Sequence, residues 1–141
     1  MRVCVIDGRG GGLGSRLVAG LHSELGSSHN IVALGTNTVA AAAMKQAGAV
    51  QVGVGPRAIA GTLPSVDVIV ASLNLVVPGA MLGEVTPEIV QAILGARATK
   101  VLLPLNRARL EIVGAGACTL EALITESLSR VRSLVNSAQP A

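Results

Sequence analysis

Phenylalanine, tyrosine and tryptophan are all absent from this chain of 141 residues. Its interior must be assembled from Val, Leu, Ile, Ala and Met, whose small side chains let backbone elements approach closely. The lack of tyrosine removes every mechanism that needs a phenol as acid or base. Charge is scarce too: 13% of residues are charged, and the formal net charge is +3. The 11 Lys and Arg form no block and interleave with no aromatic ring. Nucleic-acid binding wants a clustered basic face, so no nucleic-acid partner is expected. Cys4 and Cys118 make neither a C-x-x-C motif nor a disulfide framework. His22 and His29 stand at no ligand spacing from a cysteine or from each other, so no transition-metal site is expected.

Long hydrophobic runs are also missing, although half of the residues are apolar and the mean hydropathy is +0.63. The longest largely apolar, charge-free stretch, 68–83, is broken by Ser72, Asn74, Pro78 and two glycines. A spanning helix needs about 20 predominantly apolar residues. Asp7 interrupts the first apolar stretch, which argues against a signal peptide. A cytoplasmic protein with no membrane partner is expected.

What is present is an alternation of strand and helix patterns, the signature of a parallel sheet with crossover helices. Residues 2–6 read as a β-rich strand. Leu13, Leu17, Leu21 and Leu25 then recur every four residues along one helical face. Residues 31–34 predict a second strand, and Thr38 is read as the N-cap of an alanine-rich helix ending near Gly48. Residues 50–54 predict a third strand, followed at Gly55-Pro56 by a short helix. Residues 66–71 predict a fourth. Thr86-Pro87-Glu88 is a helix start, with a capping hydroxyl, Pro at N1 and an acid near the positive dipole end, and Gly95 stops that helix. Residues 100–103 predict a fifth strand and 110–113 a sixth. A last amphipathic helix opens at Thr119. The reading is one α/β domain over 1–136, a single doubly wound, mostly parallel, Rossmann-like sheet, with a tail at 137–141.

The segment Asp7-Gly8-Arg9-Gly10-Gly11-Gly12-Leu13-Gly14 follows a strand and opens a helix, the context that gives a glycine loop meaning. A helix N-terminus offers free N–H groups and a positive dipole end to phosphate. Five glycines in seven residues exceed what a turn requires. The alternative is a glycine-rich turn with no ligand. Gly8, Gly12 and Gly14 fit G-x-x-x-G-x-G, which resembles short-chain dehydrogenases/reductases, with Asp7 where those enzymes usually carry Thr. The resemblance covers the first third of the chain and implies cofactor binding. It stops at the catalytic Y-x-x-x-K, which a chain without Tyr cannot supply.

Four segments together resemble a family of small bacterial proteins known only as a domain of unknown function. They are Ile6-Asp7-Gly8 with its glycine run, Ala33-Leu34-Gly35-Thr36-Asn37, Met81-Leu82-Gly83-Glu84-Val85-Thr86-Pro87, and Pro104-Leu105-Asn106-Arg107. That resemblance spans nearly the whole chain and implies a small stand-alone domain, with no activity attached.

Ligands of open parallel sheets sit beyond the carboxyl ends of the strands. Collected there are Asp7 to Gly14, then Thr36 and Asn37, then Arg57, then Ser72 and Asn74, then Asn106 and Arg107. A capping role competes for each one. An NAD site usually carries an acid after its second strand. Gly35-Thr36-Asn37 has none, so the reading leans to NADP(H), with Arg9 or Arg57 near a 2′-phosphate and other phosphorylated nucleotides left open. Asp7 beside a phosphate loop is read first as bonding the loop's own N–H groups, with a ribose hydroxyl or a metal carried by the ligand as alternatives, and Glu84, before the Thr86 cap, as a structural acid ahead of a functional one. Cys4 is read as packed, and Cys118 as a small hydrophobe at a helix start. Three functions compete: a regulatory or sensory nucleotide-binding module, a small reductase or transferase using Asp7, Glu84, Asn106 and Arg107, and an interaction protein with a vestigial loop. So apolar a small domain is also expected to form a homo-oligomer.

Overall fold

The computed structural model describes residues 1–105 and 109–138. Runs rich in Val and Ile, bounded by glycine and polar residues, become β1 (Arg2–Asp7), β2 (Asn30–Gly35), β3 (Gln51–Val54), β4 (Val68–Ser72) and β5 (Thr99–Leu103). They form one sheet in the order β3-β2-β1-β4-β5, and every pairing is parallel. Side chains alternate across a strand, so β1 feeds two separate cores. Val3 and Val5 pack with Leu17, Leu21, Met44 and Val131, whereas Cys4 and Ile6 pack with Ile59, Ile89 and Ile93. The first layer carries α1 (Gly12–Leu25), α2 (Thr38–Gln46) and α5 (Leu120–Ala138). The second carries α3 (Gly55–Thr62) and α4 (Pro87–Gly95). This is a doubly wound, Rossmann-like α/β fold. Among the described residues, no helix is long and apolar enough to cross a membrane.

That topology positions the site. The chain leaves β1 toward α1 on one face and leaves β4 toward α4 on the other. The connections diverge at the carboxyl ends of β1 and β4 and leave a crevice there, the switch point of an open α/β sheet.

Three expectations are corrected. Residues 110–113 form no strand. Leu110, Ile112 and Val113 are 42%, 41% and 101% exposed, and among the described residues no strand of the sheet pairs with them. An apolar run without a hydrogen-bonding partner stays irregular. The N-cap of α2 is Asn37 rather than Thr38: Asn37 Oδ1 accepts from the N–H of Ala40 at 2.8 Å. The last helix runs on to Ala138, past the expected limit at 136. Thr86 does cap α4, its hydroxyl accepting from the N–H of Ile89 at 3.3 Å. Thr119 likewise accepts from the N–H of Ala122 at 3.1 Å at the start of α5.

Candidate functional site

β1 delivers Asp7 to its carboxyl end, and Asp7 organises the glycine loop. Its Oδ1 accepts from the N–H of Gly8 at 2.8 Å and its Oδ2 from the N–H of Gly14 at 2.7 Å. Burial pushes this carboxyl above its ordinary range, the N–H groups of Gly14 and Gly8 pull it down, and the charge of Glu84 pushes it up. The side chain clasps both ends of the loop. At Gly11 the loop turns with φ 72°, and a Cβ there would lie 2.9 Å from the Cα and the carbonyl oxygen of Ala40. Only glycine combines that φ with that approach.

α1 then begins with Gly11 as N-cap, no side-chain cap and no acid in its first turn. The first N–H groups of a helix have no partner within it. Asp7 takes that of Gly14, but among the described residues nothing accepts from Gly12 or Leu13. Arg16 stands on the next turn and pairs with Glu121.

The connection from β4 to α4 closes over the loop from the other side. Glu84 Oε1 accepts from the hydroxyl of Thr36 at 2.7 Å, from Nδ2 of Asn37 at 2.8 Å and from the N–H of Arg9 at 3.0 Å. Those contacts hold its carboxyl below the ordinary value of 4.5, with the Thr36 hydroxyl first, then the Arg9 N–H, against a smaller opposing effect of burial. Asn37 Nδ2 also donates to the carbonyl of Arg9 at 3.0 Å. The turn that presents Glu84 has three successive left-handed residues, Met81 (φ 56°), Leu82 (φ 57°) and Gly83 (φ 89°). For the two that carry a Cβ this costs about 1–2 kcal/mol each. Bonds from Gly83 N to Gly79 O (3.0 Å), Glu84 N to Met81 O (3.1 Å) and Val85 N to Ala80 O (3.2 Å) offset it. Met81 is thereby laid against Gly8, where a Cβ would lie 2.7 Å from its sulfur and 2.6 Å from the Thr36 hydroxyl. Gly8 is glycine because this turn packs on it.

Between the loop and the end of β4 lies a cavity of about 560 Å³. Asp7, residues 8–13 and Arg16 form one wall, Ser72 and Asn74 the opposite one, and Met81, Leu105 and Leu120 add apolar surface. Ser72 and Asn74 are 4% and 8% exposed. The Ser72 hydroxyl accepts from the N–H of Asn74 at 3.1 Å, fixing the turn that follows β4. Asn74 Oδ1 is buried and has no hydrogen-bond partner among the described residues. An unmet buried acceptor costs about 1–3 kcal/mol, and Asn74 is one of the residues that line the cavity.

Of the residues collected from the sequence, Asp7, Gly8, Arg9, Gly10, Gly11, Gly12, Leu13, Ser72 and Asn74 are brought to this cavity. Gly14 lies behind it, where a Cβ would meet Met44 at 2.6 Å. Thr36 and Asn37 serve Glu84 and the loop rather than the cavity wall. Arg57 is exposed on α3 beyond the outer strand and lines no part of the cavity. Asn106 and Arg107 fall outside the described residues. The sequence reading missed Arg16, Met81, Leu105 and Leu120, and it gave Glu84 a role at the Thr86 cap instead of at the loop. A signal existed for the turn: the glycines at 79 and 83 bracket Met81 and Leu82. Nothing local says where that turn docks.

No curated protein matches this chain significantly in sequence. Among solved structures it is similar to a dodecameric FMN-dependent UbiX-like decarboxylase from Escherichia coli O157:H7, with 12% identity over 99% of this chain and 96% of that one, at a TM-score of 0.48. It is also similar to an NAD+-bound xylitol dehydrogenase, with 17% identity over 97% of this chain and 63% of that one, at a TM-score of 0.38. The sequence profile of one family matches residues 2–136, and the chain accordingly belongs to the family described as a domain of unknown function (DUF3842).

Proposed function

We propose that this domain is a nucleotide-binding module that holds a phosphate group on the loop at residues 10–13 and the first turn of α1. One observation carries the reading. The N–H groups of Gly12 and Leu13, without acceptors among the described residues, border the same crevice as Asn74, whose buried side-chain carbonyl has no partner among those residues either. Phosphate accepts from backbone N–H groups and is favoured by the helix dipole. A nucleoside or ring carries donors for an amide carbonyl. Both needs are met by one molecule lying across the switch point, with the guanidinium of Arg16 nearby.

The short-chain-reductase likeness of the loop extends to binding and not to chemistry. No Tyr exists, Asp7 spends both oxygens on backbone N–H groups, and Glu84 Oε1 is engaged three times. A regulatory or sensory role fits this better than hydride transfer. NADP(H), favoured from the sequence because no acid follows β2, loses that support: Glu84 supplies a carboxylate to the same place from another connection. A homo-oligomer belongs to the same reading, supported by the exposed apolar side chains of Leu110, Ile112 and Val113.

The test is a thermal-shift panel of NAD(H), NADP(H), FAD, FMN, ATP and coenzyme A at millimolar concentration. A ligand that binds only the native state at 100 times its Kd adds about 2.7 kcal/mol of stability. At least one nucleotide is expected to raise the Tm. A panel in which none does so removes the proposal.

A further inference from the structure

Resting on the nucleotide reading above, we infer that the site takes a mononucleotide: one phosphate ester whose base or ring donates a hydrogen bond to Asn74 Oδ1. In a dinucleotide fold the first glycine and the end of the second strand together hold the adenine ribose. Here that space is occupied by the chain itself. Glu84 Oε1 sits within 2.7–3.0 Å of the Thr36 hydroxyl, Asn37 Nδ2 and the Arg9 N–H, which span from the loop to the end of β2. The Met81 sulfur lies so close to Gly8 that not even a Cβ fits between them. A second nucleoside extending over β2 would have to break three hydrogen bonds to one carboxylate and displace a turn with two left-handed non-glycine residues.

The opposite direction is open. From Gly12 and Leu13 the cavity runs toward β4, where Asn74 is 8% exposed and its Oδ1 lacks a donor among the described residues. Its apolar wall comes from Met81, Leu105 and Leu120, with no aromatic ring to stack on, so a base would be gripped by aliphatic contact and by the Asn74 bond. The phosphate end is fixed by the loop, and the donor end by Asn74.

The experiment is calorimetry on the full chain with AMP, GMP, UMP and FMN, with NAD+ and NADP+, and with inorganic phosphate. At least one mononucleotide should bind ten times or more tighter than inorganic phosphate and tighter than either dinucleotide. In Asn74→Leu, the advantage of that mononucleotide over inorganic phosphate should shrink about tenfold, the size expected for one buried hydrogen bond. A dinucleotide that binds as tightly as the best mononucleotide overturns the inference and leaves the nucleotide reading standing. An unchanged mononucleotide advantage in a folded Asn74→Leu also overturns it. If no probe binds, the nucleotide reading itself falls and takes the inference with it. Should Asn74→Leu fail to fold, the wild-type comparison of mononucleotides with dinucleotides decides alone.

Discussion

Glu84 Oε1 accepts a hydrogen bond from the backbone N–H of Arg9 at 3.0 Å, across 75 positions of sequence. Arg9 is a non-glycine residue at φ 51°, in the left-handed region, inside the glycine loop. The carboxylate satisfies an N–H that this conformation would otherwise leave to solvent, and it adds Thr36 and Asn37 to the same oxygen. The loop's shape is therefore set from β4 as well as from β1.

Glu84→Gln should consequently destabilise the protein near neutral pH, in a pH-dependent way. The carboxyl is held below its ordinary 4.5, so its contribution is present above that pH and is lost as pH falls through the lower, folded-state value. The Tm gap between wild type and Glu84→Gln should be constant from neutral pH down to about 5, then close on further acidification. Melting curves at several pH values check this. A gap that is unchanged at pH 3 would show that charge plays no part.

The glycine loop separates packing from binding at adjacent positions. A Cβ at Gly12 meets nothing within 4 Å, whereas one at Gly11 meets the Ala40 backbone at 2.9 Å and forces an L residue to φ 72°. Gly11→Ala should cost on the order of 1–3 kcal/mol through strain and overpacking. Gly12→Val should keep the fold and lose ligand affinity at least tenfold, because the added methyl groups stand where the phosphate approaches the N–H groups. Circular dichroism with calorimetry distinguishes them. Gly12→Val binding as tightly as wild type would reduce the loop to a turn.

Asp7→Ala should leave the N–H groups of Gly8 and Gly14 without acceptors. Each unmet buried donor costs about 1–3 kcal/mol, so chemical denaturation should register a loss of at least 1–3 kcal/mol. A loss of only a few tenths would mean that water replaces the carboxylate and that the clasp is dispensable.

Leu82 is 93% exposed at φ 57°. Asn tolerates that region better than Leu does. Leu82→Asn should stabilise the protein by up to about 1 kcal/mol, measured by denaturant midpoint. Destabilisation instead would mean that the Leu82 side chain is covered in the working protein.

Much of the architecture was legible from local pattern. The leucines at 13, 17, 21 and 25 marked α1, Thr86-Pro87-Glu88 marked the start of α4, and alternating short strands implied a parallel sheet. The failures have one physical character. Residues 110–113 have strand composition, but a strand exists only where a neighbour supplies hydrogen bonds, and that neighbour is a tertiary fact. The missing acid after β2 was read as the absence of an acid near β2. Glu84 arrives from a connection 47 residues beyond Asn37, and no periodicity encodes that meeting. Asp7, by contrast, meets Gly8 and Gly14 within its own loop, so bonding to the loop N–H groups is the part of its role that local sequence makes legible.

The central claim is that a nucleotide phosphate rests on the loop and reaches toward β4, and amide NMR tests it most directly. On titrating 15N-labelled protein with the nucleotide that gives the largest thermal shift, the N–H signals of Gly10, Gly12 and Leu13 should move most, with the Asn74 side-chain amide moving alongside them. If the largest shifts fall elsewhere on the domain, or if the loop signals stay fixed while the ligand binds, the account is contradicted.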